Sequence, residues 1–538
     1  MCCSSLEGCY DSVQDTVTVL RKVGFCINEG KSVLEPTQCT EYLGNIIDSV
    51  NMTVTLPKCK TEKLVQCCST LQKKERQKIR EVARVIGTIV AAIPAVEIGK
   101  LYYRKLESAK ICALDGAKGN FDECMAVTDV MKSDLNWWIN EVANQDRKIF
   151  RKGTEIDLYT DASNIGWGGC LNGQSTNGKW STGEKLLHIN ALELKAILFA
   201  LKSFAHHLKG KHIRVFSDNT TAVNYVNEMG GIKSLACNDI CIEIWDWIVK
   251  NDAWVSASHI PGKDNTLADT ASRQCNDRHE WKLNESMFRE LCVTFGTPDI
   301  DLFASRLNKQ IKRFCSWKPD PEAEHFDAFT INWAQFELIY MFPPFSLISR
   351  CLQKMRAEEA RGWLVVPLWT TQPWMGTLLK MLVDEPRIIK RRKNVLRHPS
   401  TTEEHPIMRH TKLMACSLSG KTYENKAYLQ RVRTSYWLHG DQERRNSIDH
   451  ITIKPHKEVS KDTIARWIRR MLVMSGVDTT KYSAGSVRPA AASKAKAMAV
   501  PITFIMAKAG WSSEATFAKC YDKIIVQDSD TFQDAVLE

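Results

Sequence analysis

The chain has 538 residues, 44% of them hydrophobic and 25% charged, and a formal net charge of +11. That length excludes a single core, since cores rarely grow beyond about 250–300 residues, and that composition excludes a wholly disordered chain. The basic excess fits a polyanionic partner, and the 19 cysteines, which follow no regular spacing, fit reduced thiols inside the cell, in nucleus or cytoplasm.

In chain order, Met1 to Ser12 shows no basic segment leading into an apolar run, so no signal peptide is expected. Residues 1–150 alternate short β-type runs with helical ones. Gly24 to Asn28 and Glu41 to Asp48 flank a turn-rich stretch around Pro36, and Lys60 to Val85 and Leu101 to Trp138 read as helical. The longest apolar run, Val85 to Val96, contains Pro94 and is too short to span a bilayer, so no membrane partner is expected. Residues 154–275 predict the order β-β-α-β-α-β-α. Ile156, Leu158 and Thr160 alternate with polar neighbours as a strand does, and Ile197, Leu198, Leu201, Phe204 and Leu208 keep helical spacing. Val215-Phe216 and Trp254 to Ser258 read as further short strands. Cys237 and Cys241 share one helix face, with no second pair to complete a zinc set. Residues 280–385 are rich in Trp, Phe and Pro. Residues 386–450, with Lys390-Arg391-Arg392-Lys393 near their start, read as a polar linker, and residues 451–538 read as mainly helical. The expected fold class is therefore multidomain, α+β and α/β.

Four carboxylates in the middle segment point to chemistry. Asp161 follows a strand, Glu193 lies in the first turn of a helix, Asp218 ends a neighbouring strand, and Asp269 opens a late helix. Hydrolysis of a phosphodiester needs an activated water and a stabilised leaving oxygen, and two divalent cations about 4 Å apart, held by converging carboxylates, supply both. Magnesium suits such a set, with manganese as an alternative. His259, on a Pro-Gly loop ten residues before Asp269, could assist proton transfer. Each carboxylate alone has a plainer reading: Asn190 and Glu193 have capping-box spacing, and Asp218 and Asp269 could each cap a helix.

The motifs Thr160-Asp161-Ala162-Ser163, Ala191 to Ala196, Ser217-Asp218-Asn219 and His259-Ile260-Pro261-Gly262 through Asn265 to Asp269 carry a resemblance. Residues 154–275 resemble a type 1 ribonuclease H domain of the retroelement kind. The resemblance implies a mixed five-stranded sheet flanked by helices. It also implies Asp161, Glu193, Asp218 and Asp269 as ligands of two Mg2+ ions, His259 as the loop histidine, and cleavage of the RNA strand of an RNA–DNA hybrid. Thr270-Ala271 stand where larger apolar residues are common in that family.

Residues 1–150 resemble the last palm strands, thumb and connection of a retroelement reverse transcriptase, on Gly24-Phe25, Asn28, Lys31-Ser32, Leu34 and Tyr42-Leu43-Gly44. No Asp-Asp dipeptide occurs, so no polymerase activity is expected. The basic residues Lys73, Lys74, Arg76, Lys78 and Arg80 could grip a nucleic-acid backbone or form a solvated helix face. Residues 295–385, within the 280–385 block, resemble an adenine-methyltransferase module of DIRS-type retroelements. Its catalytic turn would be Phe342-Pro343-Pro344-Phe345, with phenylalanine where the family has a polar residue. A structural or nucleic-acid-binding role is expected there. Residues 451–538 resemble the C-terminal half of a tyrosine recombinase, with Arg488, Trp511 and Tyr521 in family positions and Gly485 in place of a histidine; no strand transfer is expected. The whole resembles a shortened DIRS-type retroelement polyprotein with RNA–DNA hybrid and DNA as partners. The expected activity is ribonuclease H cleavage. The alternatives are a catalytically silent nucleic-acid-binding remnant and a reading frame that is rarely translated.

Overall fold

The computed structural model describes residues 5–274, 280–389, 395–399, 405–409 and 411–438. The chain divides into two units, residues 1–438 and 439–538. The second unit, which carries the recombinase-like residues Arg488, Trp511 and Tyr521, lies outside the described residues, as does Lys390-Arg391-Arg392-Lys393.

The N-terminal part of the first unit is a helical cluster. Helices Lys58–Gln72, Ile79–Ala92, Arg104–Gly116 and Asp129–Glu141 bury Leu64, Val82, Ile86, Leu106, Leu135 and Trp138 between them. The expected strand at 41–48 is a hairpin, Cys39–Tyr42 with Asn45–Asp48, whereas Phe25 to Asn28 pair with no strand. The basic residues from Lys73 to Arg80 do not share one helix face. They run through a turn, the short strand Arg76–Lys78 and the start of the next helix, all exposed, and Arg80 is paired with Asp122 at 3.0 Å. The cluster docks on the central domain through Tyr102, whose hydroxyl donates to Asp246 at 2.7 Å, and through Lys105, 2.9 Å from Asp239.

The central domain is the expected mixed five-stranded sheet packed against helices. In chain order it comprises β1 (Ile156–Ala162), β2 (Gly166–Leu171), β3 (Gln174–Lys179), α1 (Ile189–Ser203), β4 (His212–Ser217), α2 (Thr220–Asn227), α3 (Leu235–Lys250), β5 (Trp254–His259) and α4 (Thr266–Arg273). The spatial order is β5-β4-β1-β2-β3. β5 and β4 run parallel, as do β4 and β1, while β1–β2 and β2–β3 are antiparallel. Parallel pairing of β1 with β4 and β4 with β5 requires crossovers, and α1 and the α2–α3 pair supply them. The core joins Leu158, Ile213, Val215 and Val255 of the sheet to Ile197, Leu201, Ile244 and Trp245 of the helices.

The strand β3 is absent from the element order read off the sequence. Its residues, Gln174 to Lys179, are polar and carry no alternation. Its antiparallel ladder with β2 makes it a strand, and the third module covers it: the carbonyl of Pro319 accepts from Thr176, Lys318 pairs with Asn177, and Arg306 donates to the Lys179 carbonyl at 2.9 Å. These contacts cover an edge that would otherwise be open to another chain.

The third module comprises α5 (Glu285–Phe295), β6 (Ile300–Asp301), β7 (Cys315–Ser316), β8 (His325–Phe326), β9 (Ile339–Met341), α6 (Ile348–Ala357), β10 (Arg361–Pro367), α7 (Pro373–Lys380), β11 (Arg387–Ile389), β12 (Leu413–Ser419) and α8 (Thr422–Leu438), beside a minor two-residue ladder. Its main sheet has the order β6-β9-β10-β12-β11, with β6, β9 and β10 parallel and β12 antiparallel to both neighbours. A parallel bridge from Asp301 to Phe314 leads on to β7, which pairs parallel with β8. The linker expected over residues 386–450 is corrected here. Leu413 to Ser419 is a fully buried central strand and Arg387 to Ile389 an outer one, because a strand sandwiched on both sides needs an apolar run rather than alternation. Among the described residues no helix is long and apolar enough to cross a membrane.

Candidate active site

Three of the four sequence-selected carboxylates meet. Asp161 from β1, Glu193 from α1 and Asp218 just beyond β4 each offer an oxygen, all within 4.8 Å of one another. Asp161 and Glu193 are buried, at 5% and 3% exposure, and Asp218 reaches solvent. The local folding excludes the plainer readings. The cap of α1 is His188, whose ring accepts from the Asn190 N–H, so Glu193 belongs to the second turn and to no capping box. Asn219, not Asp218, caps α2 by accepting from the Ala222 N–H at 2.9 Å. Asn265 occupies the cap position of α4 and donates to the Thr160 carbonyl at 2.9 Å, which ties that helix to the strand carrying Asp161.

Asp269 stands apart from the three. It lies in the first turn of α4, and Arg273, one turn on, donates to its Oδ1 at 2.7 Å. His259 ends β5 directly beside Ser217 in register, with its ring exposed at the same end of the sheet as Asp218. The Pro261-Gly262 turn then passes over Asp218: a Cβ on Gly262 would lie 3.0 Å from Asp218 Oδ2. Only a residue without a side chain fits that approach easily.

Sequence reading missed three supporting groups. Ser272 Oγ donates to Asp161 Oδ2 at 2.6 Å, Ser217 Oγ approaches Glu193 Oε2 at 3.4 Å, and Arg273 pairs with Asp269. The small Ala271 also finds its reason, since Gly168 of β2 lets α4 sit close enough for that Cβ to be within 2.8 Å of one built on Gly168.

An oxygen-only donor set of this kind suits a hard divalent cation such as magnesium. Its electrostatics agree. Burial, then the charges of Asp161 and Asp218, pushes the Glu193 carboxyl up to about 9, and burial, then Asp218 and Asp269, raises Asp161 against the opposing Ser272 hydrogen bond. Without a cation the folded chain therefore keeps a proton on Glu193 that the unfolded chain releases near the ordinary carboxyl value of 4.5. Between those two values the folded state binds more protons, so metal-free stability falls as pH rises. A cation needs the ionised carboxylates, so magnesium should raise the melting temperature more at about pH 8.5 than at about pH 6. Melting curves with magnesium or with chelator check this; an equal shift at both pH values would contradict it.

The second pocket of interest lies in the third module. A cavity of about 310 Å³ opens where β6, β7, β8 and β9 end, lined by Phe303, Trp317, Phe329, Phe342, Pro344 and Arg350 among others. Phe342-Pro343-Pro344-Phe345 directly follows β9. Strands β7 and β8 lie to one side of β6, and β9 and β10 to the other, so the cavity sits at a reversal of strand order, where open α/β sheets bind ligands.

Residues 152–233 match the family described as RNase H-like domain found in reverse transcriptase. The match contains Asp161, Glu193 and Asp218 and stops before His259 and Asp269. Among solved structures, RNase H1 from the halophilic archaeon Halobacterium salinarum aligns at 18% identity, covering 23% of this chain and 97% of that one, with a TM-score of 0.20. LC11-RNase H1 in complex with an RNA/DNA hybrid aligns at 19%, covering 23% and 98%, with a TM-score of 0.20. The foamy viral protease-reverse transcriptase dRH in complex with double-stranded DNA aligns at 13%, covering 48% of this chain and 44% of that one, with a TM-score of 0.25. A search of curated proteins finds no match. At these identities and scores the family rests on the matched residues themselves: residues 152–233 are an RNase H-like domain of the kind found in reverse transcriptase.

Proposed function

We propose that the chain is a metal-dependent ribonuclease H that hydrolyses the RNA strand of an RNA–DNA hybrid. The observation that supports this most is the convergence of Asp161, Glu193 and Asp218 within 4.8 Å, from three elements far apart in sequence, inside the matched stretch. Asp161 and Glu193 form the buried floor, and Asp218 the open wall. Asp269, which is paired with Arg273 and stands outside the triad, is the fourth carboxylate of this reading, on the motif it shares with the resembled family. Two divalent cations, Mg2+ or Mn2+, would supply a polarised water and a counter-charge for the leaving oxygen. The protein's part is to hold the carboxylates converged, to keep Asp161 oriented through Ser272, and to offer His259 for proton movement at the rim. Recognition of the substrate would follow hybrid shape and the 2′-hydroxyl, with no base sequence read.

The test is cleavage of end-labelled RNA in a hybrid by the purified chain with magnesium present. His259→Ala is expected to slow turnover and to leave metal affinity unchanged, because an exposed rim imidazole assists a proton transfer without ligating. Calorimetric titration of both chains with Mn2+ checks this, and loss of binding in the variant would mean that His259 is a ligand.

The aromatic cavity supports a second reading for the third module, as a site that binds without transferring a group. Its walls suit a flat, apolar ligand, whereas Phe342 accepts no hydrogen bond from a target amine. The wider reading, a DIRS-type retroelement polyprotein with N-terminal reverse-transcriptase and C-terminal recombinase segments, rests on the sequence resemblances alone.

A further inference from the structure

The fourth carboxylate is already partnered. Asp269 Oδ1 accepts from Arg273 at 2.7 Å, and Asp269 is not among the three carboxylates that converge within 4.8 Å. An i,i+4 pair on an open helix is usually a surface contact of little consequence. This one differs in position. Arg273 follows directly on Ser272, whose hydroxyl donates to Asp161 Oδ2 at 2.6 Å, so the pair stands on the turn of α4 that meets the triad. Its side chain remains 65% exposed and free to swing to solvent, whereas α4 itself is held by Asn265 on β1 and by the close approach to Gly168. The helix is therefore fixed, and the guanidinium is the movable part.

We propose that Arg273 is the internal counter-ion of the metal site. With no cation bound it neutralises Asp269 and softens the repulsion among the carboxylates, and it must release Asp269 before that carboxylate can ligate. This rests on the proposed function and adds what sets its metal requirement. Arg273 is a positioning residue: it touches neither substrate nor reacting atoms. A guanidinium beside a cation-binding carboxylate competes with the cation directly, and its removal also takes a positive charge out of the site.

The experiment is Mn2+ binding to the whole chain by isothermal titration calorimetry, without nucleic acid, for the unaltered protein, Arg273→Gln and Arg273→Lys. Arg273→Gln is expected to bind Mn2+ roughly two- to fivefold more tightly at low ionic strength, with the difference shrinking as salt is raised. Arg273→Lys, which keeps the charge and loses the two-pronged geometry, is expected to lie between. The metal concentration for half-maximal hybrid cleavage should shift in the same order. Circular dichroism of each variant controls for folding. Equal Mn2+ affinities in the unaltered chain and a folded Arg273→Gln would overturn the counter-ion role and leave the metal site standing. No Mn2+ binding by the unaltered chain would overturn both this role and the proposed function.

Discussion

Replacing Asp161 with asparagine is expected to lower hybrid cleavage by ~10²-fold or more, about 3 kcal/mol of transition-state stabilisation. The substitution keeps the shape of the side chain and removes its charge. Asp161 is buried at the end of β1, receives the Ser272 hydroxyl at 2.6 Å, and lies in the triad whose oxygens all fall within 4.8 Å. The same change should leave the metal-free fold unharmed or make it more stable, because the Asp161 charge is one of the groups that raise Glu193. Loss of activity together with unchanged or higher metal-free stability is the signature of a charge kept for function rather than for folding. Rate measurements under excess metal and a chelator-treated melting curve read both halves. Full activity in the asparagine variant would remove Asp161 from the site.

The second large effect is expected at a residue with no chemistry of its own. Gly168 lies opposite Asp161 in the β1–β2 register. A Cβ there would meet the Ala268 carbonyl oxygen at 2.4 Å and the Ser272 nitrogen at 2.7 Å, both backbone atoms of α4. Gly168→Ala must therefore push the helix away or distort the strand, at about 1–3 kcal/mol of stability. Either movement displaces Ser272 from Asp161, so activity should fall further than stability alone explains. Gly153→Ala, where a Cβ meets nothing within 4 Å, is the control. Urea midpoints and cleavage rates of the two variants separate the effects. Equal behaviour would mean that α4 tolerates a shift the packing forbids.

The site was legible where local rules and motif coincided. Leu158 and Thr160 are fully buried on β1, as their alternation required, and Asp161 follows them at the strand end. The helical spacing around Leu198 and Leu201 placed α1 and with it Glu193, though its start at Ile189 was not visible, because a histidine rather than Asn190 makes the cap. What stayed hidden depends on distant partners. Ser272 reaches Asp161 across 111 residues of sequence, and no spacing rule connects them. Strand β3 is polar and owes its pairing to β2 and to the third module's cover. Strand β12 was passed over because its run, Leu413 to Ser419, is short and set among polar stretches, and a run of that length is ambiguous until a buried sheet claims it. The Phe342-Pro343-Pro344-Phe345 turn directly follows β9, and the cavity beside it could not have been read from the chain.

The most direct measurement is the fate of each labelled strand when the purified, folded chain meets an RNA–DNA hybrid with magnesium and then with excess chelator. The account predicts that the RNA strand is cut, the DNA strand stays whole, and the chelator stops the reaction. An uncut RNA strand in the presence of magnesium or manganese, with the chain shown to be folded, would contradict it.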